Sequence, residues 1–209
     1  MATNNPGSTR PGRLPAADRP AREAAVLDAA IDELVEHGYE RVTMLGVARR
    51  AGASKETLYA WFGDKQGLFT ALIRRQADAT MDRVTAALTR GDTTAETLEA
   101  FAFGLLSLLL DEPSISLNRA AMASPELASV LLAEGRHRVG PAVERFLADR
   151  AEAGELAIDD AATAFTLLYG LVIEDAQIRA LLGEPPLSER QRRVRAREAV
   201  ARFTALTGA

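Results

Sequence analysis

The sequence predicts an all-α protein of about nine helices, arranged as a small N-terminal head and a larger helical body. Three observations carry this. Apolar residues recur three and four apart over most of the chain, and no run alternates with the period of two that marks a half-buried strand. Capping signals precede the periodic stretches, two of them complete capping boxes, Thr93-x-x-Glu96 and Ser188-x-x-Gln191. Near residue 50, two short helical patterns are joined by Ala51–Gly52–Ala53, which makes a helix, a tight turn containing Gly, and a second helix.

The chain has 209 residues, room for one or two domains. It contains no cysteine, which excludes disulfides, thiolate metal sites and cysteine nucleophiles. No apolar run reaches the roughly 18 residues a membrane span needs. The longest, Leu105 to Leu110, is broken by Ser107. The N-terminus lacks the apolar stretch of a secretory signal, so a cytoplasmic location is expected. The net charge is −4, yet its distribution is uneven. Between Arg41 and Lys65 there are five basic residues against two acids; residues 81–209 carry 14 basic and 19 acidic residues. A basic head on an acidic body suits nucleic-acid binding by the head.

In chain order, residues 1–17 are Pro, Gly and polar residues without a period and read as a disordered tail. Arg10 and Arg13 could make it a DNA-contacting arm, although a solvated leader is the commoner case at termini. Asp18–Arg19–Pro20 starts the first helix; Leu27, Ala30, Ile31, Leu34 and Val35 line its apolar face. Gly38 ends it and Tyr39 packs beyond. His37, in its last turn, suits the helix dipole. Thr43 caps the second helix, with Val47 and Ala48 inward. Ser54 caps the third, Lys55 to Phe62. Leu58 and Phe62 share its buried face, and Lys55, Thr57, Tyr59 and Trp61 project elsewhere. A short helix with a cation, a hydroxyl, a phenol and an indole on its outer side is suited to touching something. In a helix-turn-helix that something is a DNA major groove.

These residues also resemble a known family. His37–Gly38–Tyr39 with Thr43, then the run Val47 to Lys55, then Thr57 to Leu68, is similar to the DNA-binding signature of the TetR/AcrR regulators. The resemblance covers roughly residues 20–75 without a gap. It departs at three positions. Gly46 stands where a longer polar residue is usual, so Thr43 has no capping-box partner. Trp61 stands where Tyr or His is commoner, and Glu56 replaces a small residue. The resemblance implies a transcriptional regulator, by default a repressor, that binds a palindromic double-stranded DNA operator as a homodimer and is released by a small-molecule effector. By resemblance and by position, Thr43, Tyr59, Trp61 and Lys65 are expected on phosphates. Ser54, Lys55 and Thr57 are expected near base edges, with Lys55 on a guanine O6/N7.

The remaining elements follow. Asp64 caps the fourth helix, which runs to about Thr89 and is broken by Gly91–Asp92. Thr93 opens the fifth, with Leu98, Phe101, Leu105, Leu106 and Leu109; Pro113 is expected to stop it. A short sixth helix contains Leu117–Ala123. Ser124–Pro125–Glu126 opens a seventh that runs to about Ala153, with a kink at Gly140–Pro141. Asp159 caps an eighth helix, apolar nearly all round from Ala161 to Ile173. Such a helix is buried on every side, and a partner subunit is expected to cover what the chain's own core does not. Pro185–Pro186 turns into the ninth. The domain reading is 1–17 tail, 18–80 DNA-binding head, 81–209 effector-binding and dimerisation body.

For the dimer interface this singles out Phe165, Leu168, Val172, Val200 and Phe203, in a four-helix contact. For the effector pocket, among helices four to eight, it singles out Phe101, Leu105, Leu109, Asn118, Met122, Tyr169 and Glu174, with a largely apolar ligand. Asn118, Tyr169 and Glu174 rank first because a buried polar group needs a partner. Plain core is an equal reading for the apolar ones. No phosphate loop, H-E-x-x-H or Gly-x-Ser-x-Gly elbow is present. No catalytic residue, cofactor or metal is therefore expected. Glu174–Asp175 near Gln177 reads as pocket lining or as ion pairs with Arg179 or Arg138, and His137 as a solvated residue. A helical small-molecule-binding protein or enzyme with an accessory head is the other class in play. A DNA-bending protein lacks the dense basic charge required.

Overall fold

The computed structural model describes residues 19–89, 91 and 93–208. The expected tail with Arg10 and Arg13, Asp18 at the expected first helix start, and Asp92 lie outside the described residues. Eleven α-helices and one 3-10 turn make up the described structure, with no strand among the described residues.

The head contains α1 (Arg19–His37), a 3-10 turn (Tyr39–Arg41), α2 (Met44–Arg50), α3 (Lys55–Phe62) and the first turns of α4 (Lys65–Leu88). Gly38, at φ 73, ends α1 in a backbone region that side chains rarely adopt, and Tyr39 then meets Phe69 edge-on at 5.0 Å. Thr43, Ser54 and Asp64 cap α2, α3 and α4 through their side-chain oxygens, which accept from the N–H groups of Gly46, Thr57 and Gly67. Gly67 is sterically required: a Cβ there would lie 2.0 Å from the Phe62 carbonyl oxygen. That close approach fixes the angle between α3 and α4.

The body contains α5 (Thr94–Leu109), α6 (Glu112–Met122), α7 (Pro125–Glu134), α8 (Arg136–Glu152), α9 (Ala161–Ile173), α10 (Ala176–Leu181) and α11 (Glu189–Thr207). Both expected capping boxes form, at Thr93–Glu96 and Ser188–Gln191. One boundary moves and two helices are added to the expected nine, each for a physical reason. Asp111 caps α6 through the Ser114 N–H, so Pro113 opens that helix in its first turn and does not stop α5. Gly135 separates α7 from α8, whereas Pro141 is carried inside α8. Glu174, at φ 43, ends α9, and α10 follows as a separate element. The cap of α9 is Asp160, one residue beyond the expected Asp159.

Two apolar cores organise the molecule. The first gathers α1, α2, Leu58 of α3 and Leu68, Phe69, Leu72 and Ile73 of α4, and is completed by Leu117, Ala120, Ala121 and Leu127 from α6 and α7. The second joins α5, α8, α9 and α11 with Val84 of α4. Helix α4 is thus shared, its first half in one core and its second half in the other. Ion pairs hold it on both sides: Arg75 to Asp28 of α1 at 2.8 Å, Asp78 to Arg138 of α8 at 2.7 Å, and Arg74 to Glu134 of α7 at 3.1 Å. Among the described residues no single helix is long and apolar enough to cross a membrane.

Candidate nucleic-acid interface and an apolar cavity

Helix α3 is anchored by one fully buried side chain, Leu58. Its first turn is therefore free to be polar. Ser54 and Thr57 share a hydroxyl–hydroxyl hydrogen bond of 2.9 Å at the helix start. Lys55 is exposed, its Nζ 5.4 Å from the centre of the Tyr59 ring, and Tyr59 is itself exposed. Thr43 is exposed at the start of α2. These five present hydroxyls, a phenol and an ammonium to solvent from one helix-turn-helix.

The other two expected contacts sit differently. Trp61 is half-buried, with the Arg19 guanidinium 5.6 Å above its ring. Lys65 packs its Nζ 4.2 Å from the Tyr39 ring centre and donates to the Glu40 carbonyl at 3.4 Å. Partial burial depresses its pKa, the nearby Glu40 carboxylate partly opposing the shift. Both residues brace the head from within as well as edging its surface.

The basic charge is also arranged otherwise than a count suggests. Arg50 is taken up by acids of α1: its Nε donates to Glu33 at 2.8 Å, and its terminal nitrogens bind Glu36. Glu33 is buried, and the Arg50 hydrogen bond holds the Glu36 carboxyl below its usual range. A Cβ on Gly46 would stand 3.0 Å from Glu33 Oε2 and 3.2 Å from the Thr43 hydroxyl oxygen, so this turn of α2 lies close against the Arg50–Glu33 pair. The solvent-facing cations of this region are then Arg49, Lys55 and Arg41, the last also donating to the His37 carbonyl at 2.7 Å. Arg49 was not among the expected contact residues; its exposure next to the turn is visible only in the fold.

Below the head, α4 to α9 enclose a cavity of about 170 Å³. Phe101, Leu105, Leu109, Asn118 and Tyr169 line it. Met122 does not; it is 68% exposed. Glu174 does not either. It sits exposed at the end of α9 and pairs with Arg195 at 3.0 Å and Arg202 at 3.4 Å of α11. Glu174 is the C-cap of α9, at φ 43, and its side chain is exposed to solvent rather than buried. Arg83, Arg136, Gln76, Thr80 and Ser114 are wall residues that sequence reasoning missed. Arg136 lies 4.6 Å from the Tyr169 ring centre and 5.6 Å from that of Phe165. Burial pushes the Tyr169 hydroxyl up in pKa, with the Arg136 charge opposing it. The Asn118 amide nitrogen donates to the Ser114 carbonyl of its own helix at 2.8 Å.

The five residues expected at a partner interface need correction. Phe165, Leu168, Val172, Val200 and Phe203 are all buried inside the protomer. A chain of this size absorbs that face of α9 and α11 in its own second core, and Phe165 also lines the cavity. The exposed apolar side chains of the same region are Leu167, Ile178, Leu182, Val194 and Leu206.

Residues 26–72 match the family model described as bacterial regulatory proteins, tetR family, and residues 96–208 match the model described as AefR-like transcriptional repressor, C-terminal domain. The HTH-type transcriptional regulator AlkX of Mycobacterium tuberculosis is 32% identical over 124 residues, 57% of this chain and 58% of that one. The match thus spans less than two thirds of that relative's length. The HTH-type transcriptional repressor ComR of Escherichia coli is 27% identical over 166 residues, 76% of this chain and 79% of its own. A crystal structure of a TetR transcriptional regulator from Agrobacterium tumefaciens is 37% identical, covers 90% of this chain and 95% of its own, and superposes with a TM-score of 0.75.

Proposed function

The chain belongs to the TetR family of helix-turn-helix transcriptional regulators, and from that premise we propose that it is a repressor that binds a palindromic operator as a homodimer and lets go when a small molecule fills the cavity. The observation that carries this reading is the double membership of α4. Its first turns pack beneath α3, and its residues from Ile73 to Ala87 form one wall of the cavity. A ligand that fits better when this wall is displaced favours a different spacing of the two heads. Its effect on DNA is bounded by its difference in affinity for the two arrangements.

In this proposal Lys55 reads a guanine edge from the first turn of α3, with Ser54 and Thr57 alongside. Thr43 and Tyr59 hold phosphates, and Trp61 and Lys65 flank the same backbone. The dimer forms through the outward faces of α9 and α11, where Leu167, Val194 and Leu206 stand exposed. Half-sites then lie one helical turn, roughly 34–36 Å, or a multiple of that apart. The protein works in the cytoplasm, where its operator is.

The test is a binding assay with DNA from upstream of its own gene, before and after a thermal-shift screen for cavity ligands. A cooperative shift that ligands reverse is expected. Ligands that stabilise the protein but leave DNA affinity unchanged at saturation would reduce the body to a dimerisation unit.

A further inference from the structure

The cavity described above has a lopsided charge chemistry. Its walls are mostly Leu, Val, Ile, Phe and Ala side chains. Among the described residues, the only charged ones in these walls are two arginines, Arg83 on α4 and Arg136 on α8, with no aspartate or glutamate. Arginines nearby on the same helices are neutralised: Arg74 by Glu134, and Arg138 by Asp78 and Glu134. Neither Arg83 nor Arg136 has an acidic partner among the described residues. Both arginines are exposed, whereas Val84, Phe101 and Phe165 of the same walls are buried. Arg136 is held over the Phe165 and Tyr169 rings, which orients its guanidinium at low entropic cost. The Tyr169 hydroxyl, kept protonated by burial, adds a donor beside it.

We infer that the cavity takes an organic anion: an apolar or aromatic body inserted between Phe101, Leu105 and Leu109, with a single carboxylate at the mouth bound by Arg83 and Arg136. Guanidinium geometry matches a carboxylate through paired N–H donors. A cationic ligand would meet two like charges, and a neutral one would leave both arginines as they are. The volume of about 170 Å³ is close to the roughly 150 Å³ that holds one benzene ring, which sets one ring as the size class of the ligand body. The ligand class rests on the effector reading above only for its regulatory meaning; the site itself does not depend on it.

Three probes with one skeleton and three charges test the assignment: 3-phenylpropionate, 3-phenylpropanol and 3-phenylpropylamine, titrated calorimetrically into the full chain. The carboxylate is expected to bind about tenfold tighter than the alcohol, the amine weakest, and added salt should narrow the gap. Arg83→Gln with Arg136→Gln should abolish the carboxylate's advantage over the alcohol. Arg136→Lys should restore part of it. Equal or better binding of the alcohol or amine overturns the assignment. So does an advantage that survives the double variant, or no binding of any probe up to about 10 mM. Operator affinity is measured separately. A carboxylate that wins at the cavity but never alters DNA binding removes the effector reading and leaves the site. Release by the alcohol or amine keeps the effector reading and removes the anion.

Discussion

Lys55 and Tyr59 sit one helical turn apart on the exposed side of α3, and their separate roles can be told apart by substitution. Lys55→Ala is expected to cost about 1–3 kcal/mol on the preferred operator and to flatten the sequence preference, measured by competition with single-base variants. Tyr59→Phe keeps the ring beneath Lys55 and removes only the hydroxyl, so it should weaken all sequences alike. Arg50 belongs to a different kind of residue. Its substitution by Ala leaves Glu33 buried without its cation and should lower the melting temperature of the head before it touches DNA preference. The Glu36 partner has its folded pKa depressed by Arg50. Its stabilising contribution is therefore complete above the ordinary carboxylate range and is lost as pH falls through the depressed value. A pH series of melting curves should show this loss in the native protein and not in Glu36→Gln.

At the scale of elements, the junction of α3 and α4 is the tightest point. Gly67→Ala places a methyl group against the Phe62 carbonyl and should cost about 1–3 kcal/mol, read as a lower melting temperature with α3 displaced and operator binding lost. Local signals made such junctions legible in advance. Thr43, Ser54, Asp64, Thr93, Ser124 and Ser188 all cap the helices their positions suggested, because a cap involves neighbours within a few residues. The break at Gly135 and the reversal at Glu174 were not legible. Each depends on how α8 and α10 dock on distant elements. The cavity was half legible. Phe101, Leu105, Leu109, Asn118 and Tyr169 follow from apolar helices with a few polar insertions. Arg83 and Arg136 look in sequence like any exposed arginine, and only the fold brings them to one opening.

For the whole molecule, the corrected burial of α9 and α11 separates two outcomes that one substitution would confound. Leu168→Glu forces a charge into the second core and should unfold the protein, at a cost of about 4 kcal/mol or more. Leu167→Glu, one residue away on the outer face, should leave the fold intact and yield monomers in sedimentation, with operator affinity lost. Effector coupling of the usual size would change operator affinity about 5–150-fold. The shared first core carries a further consequence, for modularity. Since Leu117, Ala120, Ala121 and Leu127 complete the packing around α1 and α4, the reader is not an interchangeable cartridge. Residues 19–80 grafted onto an unrelated dimerising scaffold would present bare apolar surface where α6 and α7 now rest, and such chimeras should regain specificity only when those two helices travel with them.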